Sequence, residues 1–170
     1  MSLSGHAPRP RLTVVHGRRI PHGGSGHTPG PRAVELRVPA RTEALALLRA
    51  VTSCLANYEE LDDSTAADLA LAVDEACTVL IGMASSDATL LLVEDPRARE
   101  LCLRVSTVCD SVDNDPDVIV LNGFSRRVLE ALAEKVETFV DDSDFGRDGT
   151  SLPAFGIALT VRRTWASVRA

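Results

Sequence analysis

Eight apolar patterns follow one another from residue 33 onward, and their order constrains the fold more than any other feature. Val34, Leu36 and Val38 alternate with charged residues, which is the period-two pattern of a strand. Seven further elements (helix, helix, strand, strand, helix, strand, strand) are predicted at residues 42–57, 65–84, 88–94, 100–107, 124–135, 136–140 and 155–163. This order predicts an α+β protein, a two-layer α/β sandwich with its helices on one face of a mixed sheet.

Local signals mark the ends of several of these elements. Ser64 or Thr65 is expected to cap the second helix, since a side-chain oxygen there accepts a hydrogen bond from a free helix amide. The tripeptide Asp95-Pro96-Arg97 predicts the turn of a hairpin between the two central strands. The core face of the second helix is predicted to consist of Leu69, Val73, Ala76, Leu80 and Ala84.

Residues 1–31 differ in composition from the rest of the chain. They are rich in Gly, Pro, Ser and Arg and contain no acid, which predicts a disordered basic tail before one domain over residues 32–165. The four tail arginines carry +4, so the other residues carry −6 − 4 = −10. Such an acidic body argues against a nucleic-acid surface, because phosphate contacts need clustered Lys and Arg. It suits a basic protein partner better.

The positions of histidine and cysteine exclude several classes of site. All four histidines lie in the tail, so the predicted domain has none for a Ser-His-Asp triad or a metal site. The four cysteines have no CxxC pairing and no zinc spacing, which predicts free thiols, with Cys109 the most exposed. No apolar run approaches the roughly 20 residues of a membrane span, so a cytoplasmic protein is expected.

An acidic residue borders the apolar side of the second helix. Glu75 lies on the same line of the helix as Leu71 and Val79, one turn from each. A surface glutamate whose stem covers its apolar neighbours would explain this position without any function. A functional carboxylate is the alternative, and the residues around Glu75 favour it.

Those residues resemble a known family. The sequence LAVDEACT at residues 71–78 resembles the N-box of the anti-sigma serine kinases, the RsbW and SpoIIAB family. Residues 34–49 are similar to the family's first strand and first helix. NGFS at residues 122–125 resembles its glycine-rich lid segment, and FGIALT at residues 155–160 resembles its closing strand. The resemblance covers most of residues 33–163 and is greatest for the divergent anti-sigma-F branch of the family.

The resemblance implies a histidine-kinase-like ATPase domain, the Bergerat fold, with an ATP site. In the family the N-box glutamate activates water or a serine hydroxyl, which makes Glu75 the expected catalytic residue. An asparagine four residues later ligates Mg²⁺ in the family, but this chain has Val79 there, which offers no oxygen. Kinase activity is therefore doubtful, and whether the chain is an enzyme stays open.

The other nucleotide contacts that the resemblance implies are also altered. The family's Asp-x-Gly box, which holds adenine, aligns with Thr107, Cys109 and Ser111, and Asp110 is the nearest acid. Gly156 stands where the family has a nucleotide-contacting threonine. ATP and Mg²⁺ are expected to bind weakly or not at all, and no metal ligand is assigned. The degenerate nucleotide pocket is assigned to Glu75, Val79, Thr107, Asp110, Gly123, Phe124 and Ser125.

The resemblance also implies protein partners. Such anti-sigma factors dimerise, sequester an alternative sigma factor of the sigma-F or sigma-B type, and release it to a competing STAS anti-anti-sigma protein. The expected partner contacts are Glu43, Leu45 and Arg49. Arg49 either makes bidentate hydrogen bonds to a partner carboxylate or is an ordinary solvated arginine.

These observations predict an anti-sigma factor with a degenerate nucleotide site. An active serine/threonine kinase that phosphorylates its STAS antagonist is the first alternative. A non-catalytic scaffold with incidental similarity is the second.

Overall fold

The computed structural model describes residues 11–14, 30–109, 121, 123–141 and 154–163. Its strands and α-helices are β1 (Arg11–Val14), β2 (Val34–Pro39), α1 (Leu45–Tyr58), α2 (Asp63–Met83), β3 (Thr89–Pro96), β4 (Glu100–Val108), α3 (Gly123–Leu132), β5 (Lys135–Asp141) and β6 (Ala154–Arg162). One 3-10 turn, Thr42–Ala44, leads into α1. All eight predicted elements are present, and none of these helices is long and apolar enough to cross a membrane.

The strands form one sheet in the order β1-β2-β3-β4-β6-β5. Every pair of neighbouring strands in the described residues is antiparallel, so the prediction of a mixed sheet is wrong. The reason lies in the β4-α3-β5 unit. Its two strands run parallel to each other, but β6 inserts between them and is antiparallel to both. The α+β class and the two-layer arrangement are confirmed.

The helices cover one face of the sheet, and α2 lies at the centre of the helical layer, packed against α1, α3, β4 and β6. As predicted, its core face is fully buried at Leu69, Val73, Ala76 and Leu80, whereas Ala84 follows the helix end and is half-buried. Because side chains alternate along a strand, every second residue of the sheet faces these helices. The buried sheet residues are Leu36, Val38, Leu90, Leu92, Leu101, Leu103, Val105, Ile157, Leu159 and Val161.

The cap of α2 differs from the prediction. The helix begins at Asp63, and the capping residue is Asp62, whose Oδ1 accepts a hydrogen bond from the amide of Thr65 at 3.0 Å. Both predicted caps, Ser64 and Thr65, lie inside the helix. Aspartate suits this position because its charge also interacts favourably with the positive end of the helix dipole.

The turn between β3 and β4 is also displaced. Asp95 and Pro96, which were predicted in the turn, pair with β4 as the last residues of β3. The turn comprises residues 97–100, and it is closed by the amide of Arg97, which donates to the carbonyl oxygen of Glu100 at 2.8 Å.

The prediction of a disordered tail is wrong for four residues. Arg11–Val14 form β1, with Leu12 opposite Leu36 and Val14 opposite Val34. This segment is too poor in apolar residues to form a core of its own, but a strand at a sheet edge needs only a neighbouring backbone to pair with. The rest of the predicted tail up to residue 29 lies outside the described residues.

A buried ionic cluster lies at the end of α1. Its centre is Glu59, whose side chain is 4% exposed. The Oε1 atom of Glu59 accepts a hydrogen bond from Nη2 of Arg32 at 2.9 Å, and its Oε2 forms an ion pair with Nη2 of Arg163 at 2.8 Å. The same Nη2 of Arg163 donates to the main-chain oxygen of Glu59 at 2.9 Å. The cluster therefore ties the segment before β2 and the end of β6 to the end of α1.

A second carboxyl group lies close to this cluster. Glu94 of β3 pairs with Leu103 of β4 on the helix-facing side of the sheet and is 2% exposed. Its Oε2 has no hydrogen-bond partner among the described residues. Burial, and to a lesser degree the charge of Glu59, raises the pKa of Glu94 to about 8. Glu94 is therefore mostly protonated and uncharged at pH 7.

Candidate functional site

Glu75 lies in the middle of α2, at the border between the core and solvent. It is half-buried, with the exposed Leu71 one turn before it and the partly buried Val79 one turn after it. Within the described part of the chain, no hydrogen bond or ion pair engages its carboxylate. A carboxylate in this state is chemically able to accept a proton from a nearby hydroxyl.

The described residues around Glu75 do not provide a magnesium site. Val79 packs against the hydrophobic core, and the hydroxyl of Thr78 donates to the main-chain oxygen of Asp74 at 2.8 Å. The carboxylate of Asp74 already accepts a hydrogen bond from Arg49. Among the described residues, no three His, Cys, Asp or Glu side chains are placed to hold a metal ion. These residues therefore do not fit the Mg²⁺ that the resemblance implies.

Two of the residues aligned with the adenine box, Thr107 and Cys109, have internal partners. Thr107 is fully buried, and its hydroxyl donates to the main-chain oxygen of Thr89 at 3.1 Å. Cys109 is also buried, with Sγ 3.8 Å from the main-chain oxygen of Thr107, so the prediction that it is the most exposed thiol is wrong. Cys54 on α1 is the exposed cysteine. Asp110 and residue 111 lie outside the described residues.

Apolar side chains occupy the region where α2, β4 and β6 meet. A single β-bridge between Ala84 and Cys109 brings the end of α2 to the end of β4. There Cys109 packs with Phe155, and the partly buried Met83 and Val140 complete the cluster. Burial of Cys109 follows from this bridge, which the sequence pattern did not indicate.

Three of the four lid residues, Gly123, Phe124 and Ser125, begin α3. Gly123 is exposed, and a Cβ atom there would meet no atom within 4 Å, so the backbone does not require glycine. Phe124 is 73% exposed, whereas Ser125 is buried at 3% exposure. Because α3 packs against α2, the lid residues and Glu75 are carried by neighbouring helices.

Gly156 does not face the candidate site. It pairs with Phe139 of β5, and both residues lie on the face of the sheet opposite the helices. A Cβ atom at Gly156 would collide with the Phe139 ring, which also lies 3.7 Å from the guanidinium carbon of Arg104. Packing of this ring explains the glycine.

The predicted partner contacts lie at the start of α1. Glu43 is exposed in the 3-10 turn, but Leu45 is half-buried and packs against the core, so it offers little surface to a partner. The side chain of Arg49 is 53% exposed, and its Nε donates to Oδ1 of Asp74 on α2 at 3.0 Å. Glu43 and Arg49 are thus the more exposed of the three predicted partner contacts.

Known proteins resemble this chain in sequence and, more distantly, in structure. The anti-sigma-F factors RsbW of Mycobacterium tuberculosis strains CDC 1551 / Oshkosh and ATCC 25618 / H37Rv are each 47% identical to it over 142 residues, 84% of this chain and 80% of the relative. The chain belongs to the anti-sigma-F factor RsbW family. No protein-family model matches it. The histidine kinase domain of the Erythrobacter litoralis EL346 blue-light-activated histidine kinase has a TM-score of 0.40 and 17% identity, over 80% of this chain and 65% of that chain.

An apolar surface of this RsbW family member was not predicted from its sequence. Leu47, Cys54 and Tyr58 are exposed on α1, at spacings of seven and four residues that place them on one side of the helix. The buried residues of α1 lie on another side, at Leu48, Thr52 and Ala56. Arg49 is the single charged residue in α1. A second apolar line in a helix with one charge was the signal that could have revealed this surface.

Proposed function

We propose that this RsbW family member is an anti-sigma factor that sequesters a sigma factor by a protein–protein interface, without phosphoryl transfer. The observation that carries the proposal is its 47% identity, over 142 residues, to relatives named anti-sigma-F factor. The proposed ligand is a sigma factor of the sigma-F class, held by a homodimer in the cytoplasm. A STAS anti-anti-sigma protein is proposed to release it.

The exposed side of α1 supports an interface of this kind. Stable interfaces combine an apolar centre with a few charged groups that orient the partner. Leu47 and Tyr58 supply exposed apolar area along one edge of the exposed side of α1. Arg49 lies along the other edge, towards α2, with most of its guanidinium donors unused. We therefore assign the sigma-binding surface to α1, with Arg49 as its charged contact.

We expect Arg49→Ala to weaken binding of a purified sigma-F-class factor by about 1.5–3 kcal/mol, the usual range for a hydrogen bond to a charged group. The fold should be unaffected, because an exposed ion pair contributes only about 0–1 kcal/mol to the free energy of unfolding. Titration calorimetry measures the affinity, and thermal unfolding checks the fold. Arg126→Ala is the matched control, since Arg126 is also 53% exposed but lies on α3.

Two results would count against these assignments, and they differ. If the wild-type chain forms no complex with the sigma factor, the proposed function is wrong. If it forms a complex that Arg49→Ala and Arg126→Ala leave equally strong, the function stands and Arg49 is removed from the surface.

The surroundings of Glu75 support the second half of the proposal, that phosphoryl transfer is not part of the function. Transfer depends on metal and nucleotide being placed accurately, with little covalent chemistry from the protein. At the metal position Val79 contributes only hydrocarbon to the core. At the adenine position Thr107 has its hydroxyl engaged and Phe155 packs against Cys109. Among the described residues of the assigned pocket, Glu75 alone retains a chemically suitable group.

We expect the wild-type chain to bind Mg·ATP weakly or undetectably, and to transfer no labelled phosphate to a STAS protein above the level of Glu75→Ala. The reason is that no described side chain near Glu75 supplies the missing Mg²⁺ ligand. Val79→Asn, which is similar in size and adds an amide oxygen, should make nucleotide binding more dependent on magnesium. Calorimetry with and without Mg²⁺ and a radiolabelled transfer assay measure the two effects.

The kinase alternative makes the opposite prediction in the same assay. Robust transfer by the wild-type chain that Glu75→Ala abolishes would make the protein a kinase. The half-buried carboxylate of Glu75 would then be its catalytic base. Sigma binding is measured separately, so this outcome would change the mechanism of release and leave the sequestering function in place.

A further inference from the structure

The Arg49–Asp74 pair joins the proposed partner surface to the helix that carries Glu75. Helix α1 contains no acidic residue, so the acceptor for Arg49 comes from the neighbouring helix. The Nε atom of Arg49 donates to Oδ1 of Asp74 at 3.0 Å, and this is the single hydrogen bond that its guanidinium makes to the described residues. One N–H of the guanidinium is therefore engaged, and the two Nη groups are left for another acceptor.

This geometry differs from a closed bidentate ion pair. A guanidinium that is bound bidentately by one carboxylate uses two parallel N–H groups, whereas Asp74 takes only the Nε–H. The edge formed by Nη1 and Nη2 can still receive a second carboxylate in a bidentate manner. Asp74 lies on α2, whose opposite face is fully buried, so the acceptor is held by a rigid element.

We propose that Asp74 is a positioning residue for the partner interface: it fixes the Arg49 side chain so that the Nη edge is presented to a carboxylate of the sigma factor. Arginine otherwise loses several rotamers when a partner immobilises it, and a side chain already held in place loses fewer. Asp74 thus acts through Arg49 and does not contact the partner itself. The inference rests on the proposed function, with α1 as the sigma-binding surface.

The test compares two substitutions at position 74. Asp74→Ala removes the acceptor and should weaken binding of the purified sigma-F-class factor about two- to tenfold, the range expected for one additional side chain immobilised on binding. Asp74→Asn keeps an oxygen that can accept from Nε and should retain most of the affinity. In an Arg49→Ala background, Asp74→Ala should have no further effect, because the residue it positions is gone.

A second readout needs no partner. In the free chain, the Nε–H proton of Arg49 should exchange slowly with water in the wild type and in Asp74→Asn, and rapidly in Asp74→Ala. Nuclear magnetic resonance of the arginine side chains measures this directly. Unchanged exchange in Asp74→Ala would overturn the inference, because Asp74 would then not hold the Arg49 side chain in the free protein.

The sign of the affinity change decides the inference. Tighter binding after Asp74→Ala would overturn it, since Asp74 would then compete with the partner for Arg49. Equal weakening in the wild-type and Arg49→Ala backgrounds would also overturn it, since Asp74 would act independently of Arg49. In both cases the chain still binds sigma factor, so the failure is distinguishable from failure of the proposed function.

Discussion

Raising the pH from 4 to 9 should make Glu94→Gln more stable relative to the wild-type chain, because Glu94 must ionise in a buried site while glutamine stays neutral. The pKa of Glu94 is raised from its ordinary value of 4.5 to about 8 by burial and by the charge of Glu59. Between these two values the folded state holds a proton that the unfolded state has lost. Glu94 therefore stabilises the fold fully below pH 4.5, and this contribution is lost as the pH rises through 8.

The expected effect is large. At about 1.4 kcal/mol for each pKa unit, the free energy of unfolding of the variant should rise by roughly 3–5 kcal/mol relative to that of the wild type between pH 4 and pH 9. Denaturant unfolding at a series of pH values measures it. The control is Glu100→Gln, a substitution of an exposed glutamate on β4, measured over the same pH series. A difference between Glu94→Gln and the wild type that does not change with pH would mean that water reaches the Glu94 carboxylate.

At pH 6, Glu59→Gln should destabilise the protein by about 3–5 kcal/mol, the usual cost of removing one partner of a buried ion pair. Arg163 is only 11% exposed and would be left beside a neutral amide. At this pH Glu94 is protonated in the folded chain, so little is gained from removing the neighbouring charge. Thermal and denaturant unfolding give the change in the free energy of unfolding.

A matched control separates burial from ion pairing as such. Glu137 pairs with Lys135 at 2.9 Å on the exposed surface of β5, with side chains 54% and 62% exposed. Glu137→Gln should cost less than about 1 kcal/mol, since solvent screens that pair. If Glu59→Gln proves no more costly than Glu137→Gln, the buried cluster does not hold the ends of the fold together. Glu59→Gln should also lower the pKa of Glu94, because the charge of Glu59 helps to raise it.

The elements of the fold could be predicted from local patterns. The core face of α2 at Leu69, Val73, Ala76 and Leu80 is a helical repeat within a 12-residue segment, and β2 is a period-two alternation within six residues. Where the predictions were wrong, the cause was either a contact between distant parts of the chain or a competition between neighbouring residues for the same role. Asp62 rather than Ser64 caps α2, and β1 forms because the edge of β2 supplies a backbone partner.

The candidate site was predicted only in part. The N-box pattern located Glu75 and Val79 correctly on one line of α2, and their half-buried positions agree with that placement. The same pattern could not reveal that Asp74 pairs with Arg49, because the two residues lie on different helices and meet only when α1 packs on α2. Nor did it indicate the burial of Cys109, which requires the bridge to Ala84.

By itself, the sequence determined the order of the elements, the buried face of each, and the family to which the chain belongs. These depend on side-chain periodicity and on short motifs, which act over one or two turns of chain. Tertiary structure alone decided the strand order, with β6 between β4 and β5, and the ionic cluster that joins Arg163 to Glu59 across 104 residues. A buried carboxyl such as Glu94 looks like any strand glutamate until the packing of the folded chain removes its water.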